Sequence, residues 1–591
     1  MAKTGHPVCP KRSACDRDFQ RAVRAAIFFR ESGSPSFVAC SAHVVAVSPC
    51  LGARIGDNQP QGVPVLRALE TGYGIGSLLE GTLRVATNVQ QLWESLRGWA
   101  QEIALLESVE AALNWDERTM MPPRGGAYRA EQVSYLSKLI HQKRTDPKAG
   151  QWLEELAQSE LAQDPSSPEG AAIREARRRY QKAVRLPEKL VEELSRTCVL
   201  AQQAWSEARK KSDYGQFQPW LEKIVRLKRE QAEALGYTEH RYDALLDDYE
   251  PAARTGEITR MLEELRRELV PLLSEIGQSG RSVPTDVLRR HYPQAAQRAF
   301  GRWMAERIGF QFDRGRLDET DHPFCTTLGP HDCRITTRYD EHFFPTAFFG
   351  ILHEAGHGMY EQGLPVDWFG LAPGLAASLG VHESQSRLWE NGVGRSLPFW
   401  RFAFEHAKRF FPGVLDDVSV EQFYAAVNEV RPSLIRVEAD EATYNLHIVI
   451  RFELEIALLD NELSVEELPD AWNQKYRSYL GIVPPNDAQG VLQDIHWSSG
   501  LIGYFPTYTL GNLYAAQLLE AASGEIGDWP ALAARGEFAP LLEWLRTRVH
   551  AWGHRYPAAE LIEKATGQKP SSRSLIRYLR DKLAPLYGIK N

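Results

Sequence analysis

The chain has 591 residues and a mass of 66.8 kDa, which predicts one large enzyme-type domain or several smaller domains. Hydrophobic residues make up 43% and charged residues 25%, values that exclude a mostly disordered chain. The formal charge of -8 argues against a protein that binds nucleic acid by neutralising phosphates. No window approaches the roughly 18 uninterrupted apolar residues of a membrane helix, so we expect a soluble protein that binds neither nucleic acid nor membrane.

The cysteines and the N-terminus indicate a reducing compartment. Seven cysteines are too few and too scattered for a disulfide framework, and none is paired as in a Cys-x-x-Cys zinc site. The N-terminus shows no secretory pattern of basic residues, compact apolar segment and small-residue cleavage site. We therefore expect a cytoplasmic protein.

Residues 1–86 differ in character from the rest of the chain. They contain ten Lys and Arg against six Asp and Glu, and Gly, Ser and Pro interrupt every apolar run. No amphipathic period lasts longer than two turns. We expect a poorly ordered N-terminal extension or a misplaced start codon, and the alternative interpretation is a functional arm.

From Asn88 onward the chain has helical periodicity. Apolar residues recur at spacings of three and four, as on one face of a helix. The first such stripe consists of Leu92, Leu96, Trp99, Ile103 and Leu106. Ser167 before Pro168 predicts a helix start, and Gly236 predicts a helix end. Strand patterns are few, the best covering residues 333–339, so the sequence predicts a mainly α fold with a small β-sheet.

Histidines concentrate in one part of the chain, where they form a metal-binding motif. Nine of the sixteen lie between residues 322 and 496. Among them is the sequence His353-Glu354-Ala355-Gly356-His357, in a segment with helical period. The second histidine lies about 40° around the helix from the first, so two imidazoles can hold one ion beside a carboxylate. A zinc hydrolase needs this arrangement, although five-residue matches also arise by chance.

A third ligand must come from elsewhere in the chain. The metzincin continuation is excluded because Tyr360 and Gly363 stand where glycine and histidine are required. Glu383, on a second predicted helix that runs to Trp389, would complete a His-His-Glu set with a position open for water. His382 is the rival ligand, but adjacent helical residues point about 100° apart, so both cannot bind. A solvated helix acid is the alternative interpretation of Glu383.

Several ordered motifs resemble one known family. They are His322-Pro323-Phe324, Asp332-Cys333-Arg334-Ile335-Thr336, the predicted helix with His353 and His357, His382-Glu383-Ser384, Ile435-Arg436-Val437-Glu438-Ala439-Asp440, and Gly490-Val491-Leu492-Gln493-Asp494-Ile495-His496-Trp497. This combination resembles the carboxypeptidase Taq family of metallocarboxypeptidases. The resemblance extends from about Asn88 to the C-terminus and does not include residues 1–86.

The resemblance implies a fold, an activity and a set of site residues. Residues 87–591 would form a helical, cylinder-like catalytic domain with a long groove, assembled as a homodimer. The implied activity removes C-terminal amino acids from peptides with a free C-terminus, with broad specificity and proline disfavoured. By motif match, the metal ligands are His353, His357 and Glu383, and the catalytic acid/base is Glu354. The expected cofactor is one Zn²⁺ per chain, with Co²⁺ or Mn²⁺ as substitutes.

An exopeptidase also needs a cation for the terminal carboxylate of its substrate. Arginine suits this role because its planar guanidinium holds a carboxylate in two places. Arg334 and Arg436 lie in the family-like motifs and are the two candidates. The alternative for each is a structural ion pair, for Arg436 with Asp440 one helical turn further on.

Other residues are candidates for supporting roles. His496 and Tyr504 could donate a hydrogen bond to the oxyanion that develops during hydrolysis. Ser384 and Asp494 are candidates for hydrogen-bond partners of the metal ligands.

Two further functions share parts of this pattern. A helical zinc oligopeptidase or endopeptidase would use the same metal residues, but it would not need the carboxylate-binding arginine. A helical scaffold with a structural zinc ion would normally supply four protein ligands, whereas we count three with a glutamate beside them.

Overall fold

The computed structural model describes residues 75–590, with side chains from Asn88 onward. The predicted extension therefore lies outside the described residues as far as residue 74. Its expected boundary between residues 86 and 87 falls inside the first described helix.

Nine α-helices precede the sheet in this part of the chain. They are α1 (Ile75–Thr119), α2 (Gly126–Arg144), α3 (Pro147–Leu156), α4 (Pro168–Arg185), α5 (Glu188–Lys211), α6 (Gln218–Leu235), α7 (Arg241–Leu246), α8 (Thr255–Gln278) and α9 (Gln294–Ile308). The hydroxyl of Ser167 accepts a hydrogen bond from the backbone N–H of Gly170 at the start of α4. Gly236 follows α6 with a positive φ of 79°. The predicted helix start after Ser167 and the predicted helix end at Gly236 are thus confirmed.

A three-stranded sheet lies in the middle of the chain. Its strands are β1 (Gly315–Glu319), β2 (Cys325–Thr327) and β3 (Cys333–Thr337). The central strand, β3, pairs in parallel with β1 and antiparallel with β2. The predicted strand over residues 333–339 corresponds to β3, which ends two residues earlier.

The remaining described chain is again helical. Its helices are α10 (Phe344–Glu361), α11 (Leu379–Arg387), α12 (Leu397–Phe410), α13 (Val420–Val427), α14 (Thr443–Leu459), α15 (Leu468–Leu480), α16 (Pro506–Ile526), α17 (Trp529–Ala534), α18 (Ala539–Arg548), α19 (Ala558–Thr566) and α20 (Arg573–Tyr587). A π-helical segment, Leu388–Val393, continues directly from α11. The structure is 67% helical, which confirms the predicted mainly α fold with a small sheet.

Two glycines allow α11 to pack closely between α10 and α16. A Cβ atom on Gly356 of α10 would lie 2.5 Å from the carbonyl oxygen of Gln385 on α11. A Cβ atom on Gly511 of α16 would lie 2.4 Å from Cγ of Glu383 on α11. Since real Cβ atoms essentially never approach other atoms so closely, any other residue at these positions would push the helices apart. This packing sets Glu383 against the helix that carries the histidine motif.

The apolar core has two parts. A large cluster of buried side chains spans the chain from α5 to α20 and surrounds α10 and α11. A smaller cluster lies between α1, α3 and α4, where Trp93, Leu96, Leu153 and Ile173 are buried. None of the helices in the described part of the chain is long and apolar enough to cross a membrane.

Candidate metal centre

Helix α10 presents His353 and His357 one turn apart. Their ring centroids lie 4.9 Å apart, and their side chains are 20% and 14% exposed. Residues four apart share one face of a helix, so both rings point towards α11, as their spacing predicted.

Glu383 on α11 completes a set of three donors. Its Oε2 lies 3.6 Å from Nε2 of His353 and 3.4 Å from Nε2 of His357. Two ligand atoms held tetrahedrally at ~2.1 Å from one zinc ion are ~3.4 Å apart, so the three side chains fit a single ion. Among the described residues, this is the one group of three such side chains whose donor atoms all lie within 4.8 Å of one another.

A carboxylate orients the first histidine. Nδ1 of His353 donates to Oε2 of Glu390 at 2.9 Å, which leaves Nε2 to face the other donors. Glu390 lies on the π-helical segment after α11, and NH1 of Arg387 donates to the same oxygen at 3.1 Å. The π-helical segment therefore supplies the outer partner of a histidine on a different helix.

The second histidine is oriented by residue 382. Nδ1 of His357 lies 2.9 Å from the carbonyl oxygen of His382 and 2.6 Å from Nδ1 of the same residue. His382 is therefore not part of the donor set. Its ring contacts His357 directly, because an imidazole reaches further than the Cβ direction on the helix indicates.

Glu383 has two protein partners of its own. Nε of Arg387 donates to its Oε1 at 2.7 Å, and the hydroxyl of Ser386 donates to its Oε2 at 3.0 Å. The predicted partner Ser384 instead donates to the carbonyl oxygen of Val381 at 2.6 Å and contacts no ligand. The hydroxyl that supports Glu383 is thus two residues further along α11, at the start of its next turn.

The protonation states of His357 and Glu383 suit a metal site. Burial lowers the pKa of His357 to about 3, so this imidazole is neutral at pH 7. Burial also acts to lower the pKa of His353, but the Glu383 and Glu390 carboxylates outweigh it and the pKa is raised. Burial acts to raise the pKa of Glu383, yet Arg387 and His353 hold it well below its usual range. Glu383 is therefore a carboxylate.

Glu354 lies beside the three donors and differs from Glu383 in its surroundings. Its side chain is buried, and burial raises its pKa to about 7. No hydrogen bond to its carboxylate is formed by the residues that the structure describes. A carboxyl with a pKa near neutrality and no protein partner can both accept and donate a proton at pH 7.

Arg436 lies in a buried polar cluster close to this centre. Its Nε and NH2 donate to Oδ1 of Asp494 at 2.9 and 2.8 Å, and its NH1 donates to the hydroxyl of Tyr444 at 3.0 Å. The Tyr444 ring lies 4.7 Å from the guanidinium carbon of Arg387, which pairs with Glu383. A chain of direct contacts thus connects Arg436 with the metal centre.

Two acids in this region, Asp440 and Asp494, have partners that differ from those considered from sequence. Asp440, the expected partner of Arg436, accepts hydrogen bonds from the backbone N–H groups of Ala442 and Thr443, both at 3.0 Å. Asp494, expected to support a metal ligand, pairs with Arg436 and Arg451. Arg436 thus forms an ion pair, as the alternative interpretation of this residue required, but its acid is Asp494, 58 residues away in the chain.

His496 and Tyr504 lie together beside this cluster. Their ring centroids are 5.5 Å apart, and Nε2 of His496 lies 3.1 Å from the hydroxyl of Tyr508. Burial, reinforced by Arg436, lowers the pKa of His496 to about 3, and burial with the Glu383 charge raises the pKa of Tyr504 to about 12. At pH 7 the imidazole is therefore neutral and the phenol keeps its proton.

Arg334 occupies a different environment, on β3. Its Nε and NH2 donate to the two carboxylate oxygens of Asp332, both at 2.8 Å. Its guanidinium also stacks on Trp115 of α1, 4.4 Å from the ring centroid. None of these contacts involves the three donors or Arg436.

Sequence reasoning missed the residues that support the ligands. Glu383, Arg387 and Glu390 follow one another at spacings of four and three, the separation that places side chains on one helical face. Glu361, which contacts His382, lies four residues after His357. These spacings are visible in the sequence, but many exposed helices show the same charge pattern.

The sequence and the fold both match known proteins. The family model described as carboxypeptidase Taq (M32) metallopeptidase matches residues 95–583. Thermostable carboxypeptidase 1 of Thermus thermophilus is 49% identical over 84% of this chain and 99% of its own length. Carboxypeptidase 1 of Bacillus subtilis is 41% identical over 81% of this chain and 95% of its own length. The crystal structure of the M32 carboxypeptidase from Deinococcus radiodurans R1 matches with a TM-score of 0.82 and 41% identity, covering 84% of this chain and 100% of that one.

Proposed function

The chain belongs to the carboxypeptidase Taq (M32) family and is a metallocarboxypeptidase, and from this premise we propose that it uses zinc and a glutamate base to release C-terminal residues from peptides. The convergence of the two Nε2 atoms and the Glu383 carboxylate carries the proposal. Two imidazoles and one carboxylate are a catalytic zinc set that keeps a position open. When bound, zinc supplies Lewis acidity to the scissile carbonyl and to the attacking water.

Glu354 is the proposed general base. A base must lie near the ion and must exchange a proton near neutral pH, and Glu354 combines burial beside the donors with a pKa raised to about 7. It would accept the proton of the attacking water and then donate it to the departing amine. Its neighbour on the helix, His353, is a ligand, so one turn of α10 supplies both functions.

We propose Arg436 as the residue that binds the terminal carboxylate of the substrate. A guanidinium has five N–H donors, and Asp494 and Tyr444 accept from three of those on Arg436. Two donors remain, enough to bind a second carboxylate. The contacts through Tyr444 and Arg387 towards Glu383 favour Arg436 over Arg334, which remains the alternative candidate.

His496 and Tyr504 are the proposed donors to the developing oxyanion. A donor must carry a proton at working pH, and the raised pKa of Tyr504 ensures this for its hydroxyl. His496 would act as a neutral imidazole beside it. The charge of Glu383 helps to raise the pKa of Tyr504, which indicates that the Tyr504 hydroxyl lies near this proposed ligand.

The remaining properties are proposed from the family resemblance. They are a broad specificity for the C-terminal side chain with proline disfavoured, a homodimeric assembly, and Co²⁺ or Mn²⁺ as substitutes for Zn²⁺. A cytoplasmic location is supported by the thiols of Cys198, Cys325 and Cys333, which are all free.

A pair of peptides tests the proposal. The zinc-loaded protein is incubated with one peptide that has a free C-terminal carboxylate and with the same peptide amidated at its C-terminus. We expect stepwise release of C-terminal residues from the free acid and none from the amide. Equal internal cleavage of both peptides would indicate an endopeptidase, and no cleavage of either would indicate a scaffold with structural zinc.

A further inference from the structure

His382 and Glu361 form a hydrogen-bonded chain behind the metal ligand His357. Nδ1 of His382 lies 2.6 Å from Nδ1 of His357, and Nε2 of His382 lies 2.9 Å from Oε1 of Glu361. The side chains of His382 and Glu361 are 19% and 9% exposed. Water therefore competes little for either contact.

The chemistry of the three groups fixes the direction of the chain. A carboxylate only accepts hydrogen bonds, so Nε2 of His382 donates its proton to Glu361. The carbonyl oxygen of His382 also only accepts, so Nδ1 of His357 carries a proton and Nδ1 of His382 acts as its second acceptor. Nε2 of His357 consequently keeps its lone pair, on the side that faces Glu383.

We propose that His382 and Glu361 are positioning residues for His357 and strengthen the binding of the metal ion. This inference rests on the proposed zinc site. The backbone carbonyl of His382 also accepts from Nδ1 of His357, but it constrains only one direction of approach. The ring of His382 adds a second acceptor, which the Glu361 carboxylate polarises. Two acceptors together fix the plane of the His357 imidazole, and the added polarisation makes His357 a better ligand.

The two histidine ligands are thus supported differently. His353 donates directly to the Glu390 carboxylate, whereas an imidazole separates His357 from the carboxylate of Glu361. Because His382 precedes Glu383, one turn of α11 supplies a ligand and the support of another ligand. Any shift of α11 along α10 would disturb both.

The test compares His382→Phe and Glu361→Gln with the wild type and with His406→Phe. Phenylalanine keeps a ring at position 382 but removes both nitrogens, and His406 contacts Trp303 and Phe402 instead of the metal centre. Zinc dissociation is followed in the presence of a chelator, and the visible spectrum of Co²⁺-loaded protein reports ligand geometry. Thermal unfolding of the metal-free proteins establishes that each variant folds.

We expect zinc to dissociate roughly 10- to 100-fold faster from His382→Phe, with an altered Co²⁺ spectrum and a smaller change for Glu361→Gln. His406→Phe should match the wild type. Wild-type kinetics and an unchanged spectrum in a folded His382→Phe variant would overturn the inference alone. A wild-type protein that retains no zinc would overturn both the inference and the proposed zinc site.

Discussion

Nε of Arg387 lies 2.7 Å from Oε1 of Glu383, the carboxylate whose other oxygen faces both histidine ligands. Arg387 also donates to Glu390, the partner of His353. One arginine, 15% exposed, thus supports a proposed metal ligand and the residue that orients another. We therefore expect the centre to depend on the positive charge of Arg387 as well as on the three donors.

Replacing Arg387 tests this balance. Arg387→Met keeps the length of the side chain but leaves the buried Glu383 carboxylate without its cation, while Glu390 keeps Arg395, so we expect the metal-free protein to lose about 3 kcal/mol of unfolding free energy. Zinc should restore part of the loss, because it compensates the charge of Glu383. Urea unfolding with and without zinc measures both effects. The exposed Arg535→Met should leave the midpoint unchanged, and an equal response of the two variants would contradict the role of Arg387.

Two adjacent positions on α11 test the third ligand. Glu383→Ala leaves two histidines to hold the ion, so this variant should lose zinc on dialysis against a mild chelator and become inactive. Ser384→Ala removes a buried hydroxyl whose hydrogen bonds are to Val381 and Gln385, both on α11, and should retain zinc. Zinc content after dialysis decides the comparison. Retention by the Glu383 variant would place the third ligand elsewhere.

Conservative replacement of the two arginines tests which one binds the substrate carboxylate. Arg436→Lys keeps the positive charge for Asp494 but loses the planar pair of donors, so kcat/KM on a free-acid peptide should fall roughly 10- to 100-fold. Arg334→Lys should change kcat/KM much less. Steady-state kinetics on one dipeptide substrate measures both. The reverse order of effects would assign the role to Arg334.

Glu250 provides a test of pH dependence. Burial raises its pKa from 4.5 to about 7, while it accepts hydrogen bonds from Ser378, Gly380 and Tyr514. Since the folded-state pKa is the higher one, the neutral carboxyl stabilises the fold at low pH, and this contribution is lost as the pH rises through 7. Between pH 5 and pH 8 the wild type should therefore lose up to about 3 kcal/mol more stability than Glu250→Gln. Urea unfolding of the metal-free proteins at both pH values measures the difference, and parallel behaviour would show that Glu250 does not titrate in this range.

The sequence predicted those parts of the molecule that depend on local spacing. Helical period, the cap at Ser167 and the four-residue separation of His353 and His357 all follow from geometry within one element. Glu383 was predicted because its motif resembles a family and because the metzincin histidine is absent.

Contacts between distant residues could not be predicted in the same way. Local spacing indicated Asp440 as the ion-pair partner of Arg436, whereas the folded chain pairs Arg436 with Asp494, 58 residues away. The spacing of residues along α11 does not show that the ring of His382 meets another helix. Its contact with His357 depends on how closely α11 approaches α10, which Gly356 permits.

The most direct test of the central claim is turnover and zinc content of Glu354→Gln. Glutamine preserves size and hydrogen bonding but accepts no proton, so turnover should fall at least ~10²-fold while zinc remains bound. Glu405→Gln, an exposed change on α12, should match the wild type in both measurements. The account predicts a zinc-loaded and nearly inactive Glu354 variant. A variant that holds zinc and turns over substrate at a near-normal rate would contradict it.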